Sequence, residues 1–217
     1  MLRRVVDEYH GLNGSEYGPS FHSSLPYGPL VKVPGAEKFW KCHLKDWTYQ
    51  SIPITPNLDK DVAASRLLQN LDGLEELRKK LGVTHQAMIQ AVWLSVLQTM
   101  LSPALTTGVV TSGRSIDFDR VDKVVGPLFN TLPFHVKIDG GMTASSFISR
   151  CHDLNMEIQE FQHTPLKDIQ KWSPARPGQQ LFDTLFVFLR PELDHDDFAK
   201  DVWTQLEEEQ TADVRPA

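Results

Sequence analysis

Hydrophobic positions along this chain repeat in two ways. Spacings of three and four mark helices, and short apolar runs bounded by turn residues mark strands. Leu2, Val5, Val6 and Tyr9 share one helical face, so the chain opens inside a helix. Residues 11–34 are rich in Gly, Ser, Pro and Tyr and predict turns and extended backbone. A short helix over 36–44 carries Phe39 and Trp40, and Pro53 and Pro56 hold residues 49–55 extended. A strand is predicted over 62–68. Asp72 then reads as a helix cap with Glu75 completing a capping box, Leu74, Leu77 and Leu81 as the buried stripe, and Gly82 as the stop.

The strongest helical signal follows Thr84, which caps it. Met88, Ile89, Val92, Trp93, Val96, Leu97, Met100 and Leu101 recur at three and four and are predicted to face the core, and Pro103 lies beyond the end. Residues 105–111 predict a buried strand closed by Ser112-Gly113-Arg114. A second strand is predicted over 132–138, then a turn at Gly140-Gly141 and a helix over 143–161. Phe147, Cys151, Leu154, Ile158 and Phe161 form that helix's seam. A polar, proline-containing loop leads to an apolar strand over 181–189. From Asp194 the chain turns acidic, through Asp196, Asp197 and Glu207 to Glu209, and predicts a frayed or disordered tail. The pattern is an α/β layer structure in which the strands over 105–111 and 181–189 are apolar enough to be central.

Composition narrows the function classes. The chain has 217 residues, enough for one sizeable core or one lobe of a larger enzyme. Its formal net charge is −6, which argues against nucleic acid as a partner. No apolar run reaches the length of a membrane span, and the N-terminus has no secretory signal pattern. The 2 cysteines, Cys42 and Cys151, are too few for a disulfide framework and read as buried free thiols of a cytoplasmic protein. GxGxxG, GxxxxGK[ST] and GxSxG are all absent. His152-Asp153 and the Asp194 to Asp197 group lack a second histidine at metal-ligand spacing and read as solvated surface.

Three segments stand out. They are Thr111-Ser112-Gly113-Arg114-Ser115, the run from Val125 through Gly126, Asn130 and Thr131 to Pro133, and Gln162-His163-Thr164-Pro165-Leu166. In each, a Gly or Pro shapes the backbone beside a polar side chain. The plainer alternative is three turns whose Asn, Gln and Ser satisfy local backbone groups.

Together these segments resemble the condensation domains of nonribosomal peptide synthetases. Val125-Gly126-Pro127-Leu128-Phe129-Asn130-Thr131-Leu132-Pro133-Phe134-His135 is similar to the family's VGxFxNTxPxR. Glu160-Phe161-Gln162-His163-Thr164-Pro165-Leu166 and Phe182-Asp183-Thr184-Leu185-Phe186-Val187-Phe188 match two further motifs, and Phe39-Trp40 an earlier FW pair. The wording resembles fungal synthetases, including those of hydroxamate siderophores. The resemblance implies a chloramphenicol acetyltransferase-like fold of two lobes with a channel between them. This chain would supply a connecting segment (residues 1–45), the C-terminal lobe (46–193) and the acidic tail (194–217).

The implied activity is amide formation between acyl groups carried on the phosphopantetheine of carrier protein domains, with no cofactor bound directly. The implied partners are those carrier domains and the N-terminal lobe. Ser112, Gly113, Arg114, Gly126, Asn130, Thr131, Gln162 and His163 would line or support the channel. Two departures stand beside this. The family's catalytic HHxxxDG motif does not occur, and position 135 is His where the family often has Arg. The alternatives are a non-catalytic lobe that binds a carrier or partner, and a relative of HxxxD acyl-CoA transferases.

Overall fold

A computed structural model describes residues 18–49, 73–101 and 104–189. Most of these belong to one compact unit, Pro19–Phe188, and a second unit, Met1–Gly18 with Leu189–Ala217, lies almost wholly outside the described residues. The expectations for the opening helix, the strand over 62–68, Asp72 and the acidic tail also fall outside them.

The elements begin with α1 (Phe21–Ser24), continued by a 3-10 turn at Leu25–Tyr27, and α2 (Ala36–His43). They continue with α3 (Leu74–Leu81), α4 (His85–Met100), β1 (Ala104–Thr111), a 3-10 turn at Val121–Lys123 and β2 (Asn130–Lys137). The last are α5 (Ala144–Gln159), α6 (Leu166–Trp172) and β3 (Leu185–Phe186). The sheet among the described residues has the order β2-β1-β3. β1 and β2 pair antiparallel from Ala104↔Lys137 to Thr111↔Asn130, and β3 pairs parallel to β1. Leu132 to Val136 are all buried, so β2 is covered on both faces.

Both long helices start as their sequences predict. The Thr84 hydroxyl accepts from the Ala87 N–H, and the Thr143 hydroxyl from the Ser146 N–H. Phe147, Cys151, Leu154 and Ile158 of α5 enter the core as expected. The core face of α4 is different from the one its apolar spacing suggested. Ala87, Met88, Gln90, Ala91, Leu94 and Leu97 are buried, whereas Ile89, Val92, Trp93, Val96 and Met100 are exposed. The small alanines let α5 approach closely, and bulk on that face would hold it off. Gln90, wholly buried, accepts a hydrogen bond at 2.8 Å from the Asn155 amide of α5, a polar link that no hydrophobic pattern displays.

Other expectations change as well. α3 begins after Gly73, which sits at its N-cap in the left-handed region, and α3 buries no residue. Glu75 pairs with Arg78 at 2.6 Å. Gly82 does end the helix. The apolar run over 181–189 pairs through only Leu185 and Phe186, at the sheet edge, while β1 is central. Leu185 and Val187 are exposed. The loop expected after α5 contains α6, whose Ile169 is fully buried. Cys151 is a buried thiol, but Cys42 is exposed, because α2 turns Trp40 and not its neighbour inward. His152 is half-buried.

Candidate functional site: a knot of three loops at one end of the sheet

The antiparallel register brings the three sequence segments together. Thr111 ends β1 opposite Asn130, which starts β2. The Ser112–Arg114 turn and the Gly126 loop therefore leave the same end of the sheet. α5 runs out at Gln159, which delivers Gln162 and His163 to that end.

Asn130 ties the second and third segments. Its side-chain amide donates to the Gln162 and Thr164 carbonyls, each at 2.9 Å, and its Oδ1 accepts from the Thr131 N–H at 2.9 Å. The Thr111 hydroxyl donates to the Asn130 carbonyl at 3.3 Å. Gln162, buried, donates to the Ser115 carbonyl at 2.8 Å and so ties the third segment to the first. The Gln159 amide donates to the Ser115 hydroxyl beside it.

His163 completes the knot. Its Nε2 lies 3.0 Å from the Gly113 carbonyl. A carbonyl only accepts, so the proton sits on Nε2. Burial holds the imidazole below its usual range and favours this neutral form, although the Gly113 carbonyl pulls the other way. Two glycines shape the slot. A Cβ on Gly28 would stand 2.8 Å from His163 Nε2, and one on Gly113 would stand 1.7 Å from the Leu128 carbonyl oxygen. Gly113 has φ +66, a conformation that side chains oppose. A Cβ on Gly126 would meet the Phe21 ring at 2.4 Å, so α1 packs directly on that loop.

Arg114 is turned inward. Its guanidinium donates to the Val121 and Val124 carbonyls at 2.7 and 3.0 Å and closes the loop between β1 and β2. Ser112 is exposed and accepts from the Arg114 N–H at 3.4 Å. All eight predicted residues lie in this region. Sequence reasoning missed Gly28, Gln159 and Phe21, and named Ser115 only as the end of its segment. Only Gly28, between Tyr27 and Pro29, carried a turn signal.

The knot orders three loops. Among the described residues no cluster of side chains has metal-binding composition. None of their helices is long and apolar enough to cross a membrane.

Position 135 lies apart, on β2. His135 is buried, its Nδ1 is 2.8 Å from the Thr106 hydroxyl, and its backbone N–H donates to His43 Nε2 at 3.1 Å. Burial lowers its pKa, so it offers no fixed positive charge in place of an arginine. His43, against the Phe39 and Trp40 rings, is pushed down to about 4, first by burial and then by His135. A group whose folded pKa lies below its unfolded value of 6.5 adds stability in full above pH 6.5. That stability is lost as pH falls toward 4. The urea midpoint is therefore expected to drop between pH 6.5 and 4 by the equivalent of about 1–3 kcal/mol from this group. His43→Gln should flatten that slope. An unchanged slope in the variant would show that His43 is protonated freely in the folded protein.

The family model described as Condensation domain matches residues 35–215. The chain is 39% identical over 215 residues to Nonribosomal peptide synthetase 2 of Cochliobolus heterostrophus, covering 98% of this chain and 4% of that protein. It is 38% identical over 186 residues to Nonribosomal peptide synthetase sidC of Arthroderma benhamiae, covering 84% of this chain and 4% of that one. The chain thus spans a small part of these relatives. Among solved structures, the first condensation domain of the calcium-dependent antibiotic synthetase superposes with TM-score 0.58 at 10% identity, over 87% of this chain and 45% of that one. That likeness gives the fold, the CoA-dependent acyltransferase architecture expected from the motifs, of which this chain is a part. By its sequence match over residues 35–215, the chain belongs to the condensation domain family.

Proposed function

We propose that this chain is the C-terminal lobe and connecting segment of a condensation domain in a fungal nonribosomal peptide synthetase, and that the full domain forms amide bonds between carrier-bound acyl groups. The observation that carries this is the knot. The three motif segments that resemble the family meet through Asn130, Gln162 and His163, so their spacing in the sequence serves one local structure. Similarity to sidC supports the siderophore-type resemblance. Two free thiols agree with a reducing cytoplasm.

In the reaction, the acceptor amine attacks a thioester carbonyl. A C–N bond forms, the C–S bond breaks, and the sulfur leaves on its phosphopantetheine arm as the thiol, taking up the proton that the amine loses. The general base for that proton must lie within hydrogen-bond reach. His163 donates through Nε2 to the Gly113 carbonyl, which gives it a structural place in the knot. The histidine of HHxxxDG, on the other lobe, would supply the base. The knot would hold the channel wall in place, a contribution of orientation.

The test compares the chain alone with the chain joined to an HHxxxDG-bearing lobe of a condensation domain, each given two loaded carrier domains. The chain alone is expected to form no amide above a buffer control. The joined protein is expected to form it, and to lose the activity when the motif's second histidine becomes alanine. Amide formation by the chain alone, or none by a folded joined protein, would overturn the assignment.

A further inference from the structure

Beside the knot, α2 and α6 pack against one another and leave an open groove of about 910 Å³ along their seam. Its floor is apolar, from Leu30, Val33, Ala36, Pro165 and Trp172. Leu30 is 70% exposed and Val31 41%, unusual for aliphatic side chains lining a concavity.

The rim has a definite charge. Lys38 and Lys41 stand on α2, Lys171 stands across the groove on α6, and Lys32 lies on the loop between. Against these four ammonium groups the lining has two carboxylates, Glu37 and Asp168. Glu37 is engaged by Lys41 at 2.6 Å. Lys32, Lys38 and Lys171 have no acidic partner among the described residues. The groove is therefore locally positive in a chain whose net charge is −6.

From the apolar floor and the lysines on both banks, we infer that this groove docks an acidic amphipathic helix of a partner protein. Its occupant carries an apolar stripe with carboxylates on both sides. A helix suits the seam because α2 and α6 pack against one another and leave between them a groove into which a third helix can lay its i, i+4 and i+7 side chains. The groove, about 910 Å³, holds a few such side chains. Charge on the two banks sets the partner's orientation and speeds the encounter, while the floor supplies the affinity. This inference stands on the groove alone and is independent of the condensation reading.

The test uses the full chain and two synthetic helical peptides with the same leucine stripe, one flanked by glutamates and one by lysines, followed by fluorescence anisotropy. The glutamate peptide is expected to bind saturably and to weaken as salt rises. The lysine peptide is expected not to bind. Lys38→Glu with Lys171→Glu should weaken the glutamate peptide about tenfold or more, since each reversal replaces an attraction with a repulsion of similar size. Leu30→Asp should do the same from the floor. Lys80→Glu, on α3 and outside the groove lining, should change affinity less than about twofold. All these side chains are exposed, so the variants should fold, and far-ultraviolet circular dichroism checks it. Equal binding of the two peptides would overturn the inference. So would no binding of the glutamate peptide, indifference to the double reversal, or binding of phosphatidylserine vesicles in place of the peptide.

Discussion

Gly113→Ala is expected to destabilise this protein by more than about 3 kcal/mol and to remove most of the soluble chain. Two costs add. A residue with a Cβ at φ +66 pays about 1 kcal/mol for the left-handed conformation alone. The new methyl would also stand 1.7 Å from the Leu128 carbonyl oxygen and 2.6 Å from its carbon, and these are backbone atoms that no rotamer change can move aside. Leu128 is itself 1% exposed, so its loop has nowhere to retreat. Two other glycines separate the contributions. At Gly35, φ is +82 but nothing lies within 4 Å, so Gly35→Ala should cost about 1 kcal/mol. At Gly140 neither condition holds, and Gly140→Ala should be close to neutral. The measurement is the urea midpoint of the three variants. A Gly113→Ala midpoint equal to that of Gly35→Ala would mean that the Leu128 loop yields, and that the knot is softer than its contacts imply.

Asn130→Ala should cost about 2–3 kcal/mol, from the loss of three hydrogen bonds at about 1 kcal/mol each, reduced where water reaches the half-buried site. An Asn in an ordinary surface turn would cost under about 0.5 kcal/mol. Asn130→Asp is the sharper variant. Its carboxylate keeps an acceptor for the Thr131 N–H but turns an oxygen toward the Gln162 and Thr164 carbonyls, which only accept. At neutral pH the Asp variant should therefore be less stable than the Ala variant, although Asp is closer to Asn in shape. In the protein joined to its HHxxxDG lobe, both variants should lower the condensation rate together with the unfolding midpoint. A slower rate at full stability would instead place Asn130 in contact with substrate.

These effects lie where sequence reasoning was both strong and incomplete. Each of the three segments was visible because a Gly or Pro stood beside an Asn, Gln, Ser or Arg. The bonds that join them were not visible. Asn130 and Thr164 are 34 positions apart, and no local pattern reports that an amide will span that distance. The plainer view, that these polar residues satisfy backbone groups, describes the local bonding well. The backbone groups they satisfy belong mostly to other segments, and that is what makes a knot.

α4 shows a different limit. Apolar residues surround that helix, so spacing offered more than one stripe. Hydrophobic weight favoured Val92, Trp93 and Val96. Packing chose Ala87, Ala91, Leu94 and Leu97, because what α5 needs is a shallow surface at short range. The run over 181–189 failed similarly. Apolar content marks a segment as able to be buried, and the partners available decide whether it is. With β1 already paired to β2 on one side, β3 took the remaining edge over two residues.

The sequence by itself determined the two long helices, the strands β1 and β2, and the family. Thr84 and Thr143 set helix starts through side-chain oxygens close in the chain, Gly82 set a helix end through its backbone freedom, and the order of the motifs identified the condensation domain likeness. All of these are short-range signals. Only the tertiary structure decided which face of α4 is core, where β3 sits, that Arg114 folds onto Val121 and Val124, and that a lysine-banked groove opens between α2 and α6. Those outcomes depend on the register of β1 against β2 and on the approach of helices distant in sequence, and such energies exist only once the segments meet.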